Sequence, residues 1–88
     1  MRAIIRGKAY QLQFVPRLEG DAHGMCDAPT SRAKRIRILE RLRDERRLEV
    51  IIHEILHACH WDLDEEAIDD SAKAIARVLW RLGYRAEK

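Results

Sequence analysis

Residues 53–57 read His53-Glu54-Ile55-Leu56-His57. Two histidines four positions apart, with a glutamate directly after the first, have a specific chemical use if the segment is helical. Four residues turn a helix by about 400°, so His53 and His57 point the same way, one turn apart. Two imidazoles at that spacing both reach a single Zn²⁺ at about 2.0–2.1 Å. Glu54 is rotated by about 100° from His53, which sets its carboxylate beside such an ion and not on it. There it is placed to take a proton from a metal-bound water, the work of a general base. The bland reading is an amphipathic helix carrying two surface histidines. Ile51, Ile52, Ile55 and Leu56 make this helix core-facing, so the pair borders the core and the metal reading is favoured.

A catalytic zinc site needs a third protein ligand and an open fourth position. The acidic run Asp64-Glu65-Glu66, followed by Asp69-Asp70, lies one reversal of the chain after His57. The expected apolar stripe of this second helix is Ile68, Ala72, Ile75 and Leu79. Stepping back three or four positions from it gives Glu65, with Asp69 flanking the same stripe; Glu66 and Asp70 point further round. Glu65 is the expected ligand and Asp69 its rival. A competing use exists for Glu65, because Asp62-Leu63-Asp64-Glu65 has the form of a capping box. His60 shares a face with His53 and His57, but about 10.5 Å of helical rise separates it from His53, too far for one ion. It is expected as a helix-end residue. His23 and Tyr10 are candidates for a hydrogen bond to a developing oxyanion. Cys59 is expected to face away from the metal, and both it and Cys26 read as small buried hydrophobes. Trp61 and Trp80 are expected to close the core around the helix pair.

The elements that must position these residues follow from periodicity. Ala3–Ile5 is a short apolar run. Tyr10, Leu12 and Phe14 then alternate with Gln11 and Gln13, which predicts two strands joined at Arg6-Gly7-Lys8. Pro16 ends the second strand or sets it at an edge. Residues 19–34 are rich in Gly, Asp, Pro and Ser, with room for a short strand at 23–27. Arg35-Ile36-Arg37-Ile38-Leu39 alternates again, one face basic and one apolar. From Asp44 the period changes: Leu48, Ile51, Ile52, Ile55, Leu56 and Cys59 mark a helix over roughly 45–60, with Asp44 as its N-cap. A second helix is predicted over roughly 64–82, with Ile68, Ala72, Ile75, Ala76, Leu79 and Leu82 inward, Asp62 or Asp64 as cap, and Gly83 as its stop. The expected fold is a single α+β domain over residues 1–88. A short antiparallel sheet of three or four strands is followed by two helices packed on it.

Eighty-eight residues with 47% apolar and 36% charged side chains allow one small core and exclude a two-domain enzyme or a disordered chain. No run of eighteen apolar residues occurs, and the N-terminus lacks the apolar stretch of a secretory signal. Two cysteines make no disulfide framework, so a cytoplasmic setting is expected. Twelve Lys/Arg face seven Asp/Glu in residues 1–50, against five and eight in residues 51–88. A net charge of +2 is no strong electrostatic footprint for nucleic acid. A local basic stretch does occur: Arg32, Lys34, Arg35, Arg37, Arg41, Arg43, Arg46 and Arg47.

With His53-Glu54-Ile55-Leu56-His57 followed by an acidic second helix, residues 48–84 resemble a zincin metallopeptidase. They are most similar to the small phage and prophage proteins akin to the ImmA/IrrE-type and SprT-like groups. Trp80-Arg81-Leu82-Gly83-Tyr84 fits the phage type, and strands ahead of the helix match the minimal zincin core. The resemblance implies that His53 and His57 are zinc ligands, Glu54 the catalytic acid/base, and an acidic residue of the next helix the third ligand. In the ImmA-type pattern that residue sits in a Glu-x-x-Ala-Asn setting. This chain has no asparagine; alignment on Ala72 selects Asp69, and alignment on Ile68 selects Glu65. The expected function is therefore zinc-dependent peptide hydrolysis, with a peptide or protein substrate laid along the strand near 23–27 or 35–39. The alternative expectation is a non-catalytic metal-binding regulator that engages a protein or DNA through the basic 32–47 face.

Overall fold

A computed structural model describes residues 1–86. The first two strands, β1 (Arg2–Ile5) and β2 (Lys8–Val15), form an antiparallel hairpin with Ile5 opposite Lys8. The turn between them needs positive φ at both central residues, and Arg6 (49°) and Gly7 (78°) supply it. Along β2, Tyr10 and Leu12 are buried while Gln11 and Gln13 are exposed, so the period-2 pattern reports the core face. Phe14 continues on that face but lies 41% exposed at its rim, its ring 4.5 Å beneath the Arg47 guanidinium of the helix that follows. In β4 (Arg35–Leu39), Ile36 and Ile38 are fully buried, while Arg35 and Arg37 turn outward to Asp27.

The sheet runs β1-β2-β4-β3, with β3 at Gly24–Cys26. Two of its three pairings are antiparallel, as expected, but β2 and β4 pair in parallel, from Gln11 opposite Arg35 to Val15 opposite Leu39. The expected all-antiparallel sheet is corrected to a mixed one. The cause is a parity of reversals. The chain turns back after β2, runs along the outer edge as β3, and turns again to insert β4 between β2 and β3. Two reversals restore the original direction.

Two helices follow, α1 (Asp44–Cys59) and α2 (Glu65–Arg81). They form successive layers: α1 packs on the sheet, against β3, β4 and β1, and α2 packs on α1. Only α1 therefore lies on the sheet, where both helices were expected. The face of α1 turned to the strands is Val50, Glu54 and Ala58, with Ile51, Ile55 and Cys59 packed beside it. As an outer layer, α2 buries one narrow stripe, Ile68, Ala72 and Ala76. The two alanines let the helix axes approach closely. Ile75 (40% exposed) and Leu82 (69%), expected inward, face out for the same reason. The core joins Ile5, Tyr10, Leu12, Ile36, Ile38, Leu39 and Leu42 to the sheet-facing side of α1.

The helix ends follow local rules with one exception. Asp64 caps α2, its Oδ1 accepting from the Ala67 N–H at 2.7 Å. At the other end Gly83 (φ 93°) donates to Trp80 C=O and Tyr84 to Leu79 C=O, the paired bonds of a Schellman stop. The start of α1 differs from expectation. Arg43 holds the cap position with no side-chain cap bond, and Asp44 stands one residue further in at φ 58°. Aspartate tolerates that left-handed conformation better than most residues.

Candidate metal centre

The helix places His53 and His57 one turn apart on the side of α1 that meets the start of α2. Their Nε2 atoms lie 3.2 Å apart. Because Asp64 caps α2, Glu65 is its first residue, and its carboxylate lies against both rings. Oε1 is 2.8 Å from His53 Nε2 and Oε2 is 3.0 Å from His57 Nε2. These ligand atoms all fall within 4.8 Å of one another, a group that can hold a metal ion. Of the three acidic candidates, the fold brings Glu65 to the histidines and leaves Asp69 one step behind. Asp69 Oδ1 is 3.7 Å from His53 Nδ1, and its other oxygen pairs with Lys73 Nζ at 2.8 Å. At 3.7 Å Asp69 makes no hydrogen bond to the ring and acts on it through charge alone. Glu66 is exposed and does not join the group. The capping-box use of Glu65 is not realised, since Asp64 supplies the cap and Glu65 reaches across to α1.

Glu54 points from α1 toward the sheet and is 7% exposed, the one buried charged residue among those described. It lies over Gly24 of β3. A Cβ on Gly24 would come within 2.9 Å of the Glu54 Cγ and Oε2 and within 2.8 Å of Val50 Cγ1. Only a residue without a side chain lets strand and helix approach this closely. Burial raises the Glu54 carboxyl, the His53 imidazole pulls it back, and Glu65 adds a further push; the group is moved up to about 7. A carboxyl in that range exchanges a proton readily near neutral pH.

The two histidines, Glu54 and Glu65 share one open cleft of about 380 Å³, walled by His23, Gly24, Met25 and Cys26 on the strand side. His23, one of the two candidates for an oxyanion donor, lines this cleft. Tyr10 does not: it is fully buried under the sheet, and its hydroxyl has no partner. His60 caps the C-terminal end of α1 and is exposed, as expected of a helix-end residue. Cys59 packs on the core away from the histidines. Cys26 borders the cleft, and burial first of all pushes its thiol up to about 12. Neither tryptophan closes the core. Trp80 stacks under Arg85 at 3.3 Å, and Trp61 is 43% exposed at the cleft mouth, its ring 6.2 Å from that of His57.

Three cleft residues had no signal in the sequence. Gly24 reads as turn chemistry until the helix crossing it is known. Trp61 follows the helix and so carries no periodicity. Arg46 belongs to the basic stretch, yet it is drawn out of it: it pairs with Glu49 and donates to His23 Nδ1. Others of that stretch also take local partners, Arg35 and Arg37 at Asp27 and Arg43 at the Glu40 and Leu42 carbonyls. Comparison with family models, curated proteins and solved structures found no match to this chain.

Proposed function

We propose that this chain is a zinc-dependent metallopeptidase-like protein that hydrolyses peptide bonds. The observation behind the proposal is the meeting of His53, His57 and Glu65 in one cleft with the buried carboxyl of Glu54. Two imidazole nitrogens and one carboxylate, with a side left open to solvent, are the donor set of a catalytic zinc. The spacing fits as well. Tetrahedral bonds of 2.0–2.1 Å set ligand atoms about 3.3–3.4 Å apart, and the two Nε2 atoms are separated by 3.2 Å. Bound zinc would supply Lewis acidity, polarising a carbonyl and drawing the pKa of a water toward 7.

The chain's own residues supply the rest. Glu54, held near neutrality by its burial, accepts the proton of the attacking water and returns it to the leaving amine. Asp69 sets a negative charge 3.7 Å from His53 Nδ1, which favours a proton on that nitrogen and leaves Nε2 to the ion. Of the two strands expected to receive substrate, β4 is paired on both sides, which leaves β3. The bonds Asp27 N–H to Arg35 C=O and Leu39 N–H to His23 C=O fix the pairing phase. By alternation the polar groups of Gly24 and Cys26 then face out of the free edge. An extended peptide can pair with them. Two free cysteines suit the cytoplasmic setting proposed from the sequence, and among the described residues no helix is long and apolar enough to cross a membrane.

The test is Glu54→Gln beside His57→Ala, each purified without added metal. Glu54→Gln should keep the wild-type metal content and lose hydrolysis of an unstructured protein substrate; His57→Ala should lose both. Hydrolysis by Glu54→Gln at the wild-type rate refutes the mechanism.

A further inference from the structure

The cleft has a direction. His23 lies against Arg46 in the first turns of α1, and the next residue, Gly24, lies against Val50 and Glu54 further along that helix. Strand β3 and helix α1 therefore run the same way beneath the cleft. The His23–Arg46 pair marks one end, the His53, His57 and Glu65 group the middle, and Trp61 the other end.

The two ends differ in chemistry. At the first, Arg46 places Nη2 2.9 Å and Nε 3.3 Å from His23 Nδ1, and Glu49 holds Nη1 of the same guanidinium. A guanidinium only donates, so His23 Nδ1 accepts and the ring proton sits on Nε2. This end is rich in donors. At the second, Trp61 offers an aromatic face that is neither buried in the core nor covered by a cation, unlike Trp80 and Phe14 under their arginines. An unburied indole beside the histidines gains from burial against a ligand.

A peptide pairing with the free edge of β3 forms the stronger ladder when it runs antiparallel. It then enters at the Trp61 end and leaves at the His23–Arg46 end. We infer that the cleft takes an extended peptide with an aromatic or large apolar residue on the N-terminal side of the reacting carbonyl, packed on Trp61. The C-terminal continuation passes along His23 and Arg46, where its carbonyl or carboxylate oxygens find donors. This inference rests on the peptidase reading and adds the substrate class and its polarity.

Hydroxamates that chelate zinc test it without turnover. In N-acetylphenylalanine hydroxamate the ring lies on the N-terminal side of the chelating group. In the hydroxamate of 2-benzylsuccinic acid N-methylamide it lies on the C-terminal side. Titrated calorimetrically into zinc-loaded protein, the first should bind about tenfold tighter than the second, and about tenfold tighter than N-acetylglycine hydroxamate. Trp61→Ala should erase both preferences while leaving zinc content unchanged, and Trp61→Phe should keep most of them. A preference for the benzylsuccinyl compound, equal binding of all three, or an unchanged preference in Trp61→Ala overturns the inference while the zinc reading stands. Failure of the wild type to take up zinc removes the peptidase reading and the inference together.

Discussion

Replacing Gly24 with alanine puts a methyl group into the seam between β3 and α1. The new carbon would stand 2.8 Å from Val50 Cγ1 and 2.9 Å from two atoms of Glu54, where ordinary contact begins at 3.4 Å. Strand and helix must part by about 0.6 Å, or the side chains must leave their rotamers. Glu54 has torsions with which to yield, but Val50 is β-branched and held in the core, so the clash with Val50 sets the cost. Overpacking of this kind costs about 1–3 kcal/mol. In a domain of this size each kcal/mol lowers Tm by about 4–8 °C, so Gly24→Ala should melt roughly 5–20 °C below wild type. Val50→Ala removes the methyl that is struck. It destabilises on its own, by about 2 kcal/mol from lost burial and the cavity left behind. The double variant should then be more stable than the sum of the two losses predicts, by about 1 kcal/mol. Calorimetric unfolding of the four proteins gives the coupling directly. Metal uptake should be unchanged in all of them, because His53, His57 and Glu65 all lie on the helices. A Gly24→Ala protein that melts with wild type, or strict additivity with Val50→Ala, would refute the close-approach account of this glycine.

Three further outcomes are expected. Asp64→Ala removes the bond to the Ala67 N–H and should cost about 1 kcal/mol in urea unfolding, with weaker metal binding, since Glu65 sits in the turn that frays; unchanged stability would discount the cap. Tyr10→Phe should be neutral or stabilising, because the hydroxyl it deletes is buried without a partner; a loss above about 1.5 kcal/mol would reveal a bond that the hydroxyl makes. Folding lifts the Cys26 thiol from 9.0 to about 12, so its contribution to stability is whole below pH 9 and is lost as pH rises toward 12. Iodoacetamide at pH 8 should therefore modify Cys26 about a thousandfold more slowly in the folded protein than in urea, as read by peptide mass mapping; equal rates would contradict its burial.

Sequence reasoning reached whatever is local. The spacing of His53 and His57, the stop at Gly83 and the alternation of Ile36 and Ile38 are each decided within a turn or a strand, and the structure has them as read; of the two expected caps, Asp62 and Asp64, it uses Asp64. Glu65 came from the helical period of its own segment. What escaped is relational. No periodicity in β2 or β4 tells that they run parallel, because direction depends on how many times the intervening chain reverses. The apolar residues of α2 gave the right stripe at Ile68, Ala72 and Ala76. They also drew in Ile75 and Leu82, because hydrophobicity does not say that a helix is the outermost layer. Trp61 and Trp80, expected to close the core, lie instead at the cleft mouth and under Arg85, because residue type alone does not say which neighbour covers a side chain. The depth of Glu54 was invisible for the same reason as the role of Gly24: each is defined only by the other.

His53 and Glu65 stand twelve positions apart, on a helical hairpin whose geometry is set by two helices and a short turn. The environment of Glu54 comes instead from a strand far upstream, which must find its edge of the sheet before the carboxylate is covered. On the proposed function, grip on an ion and control of a proton would thus depend on different parts of the folding reaction, one quick and short-range, the other slow and long-range. A nascent or damaged molecule can possess the first without the second, and would then sequester metal while remaining chemically idle.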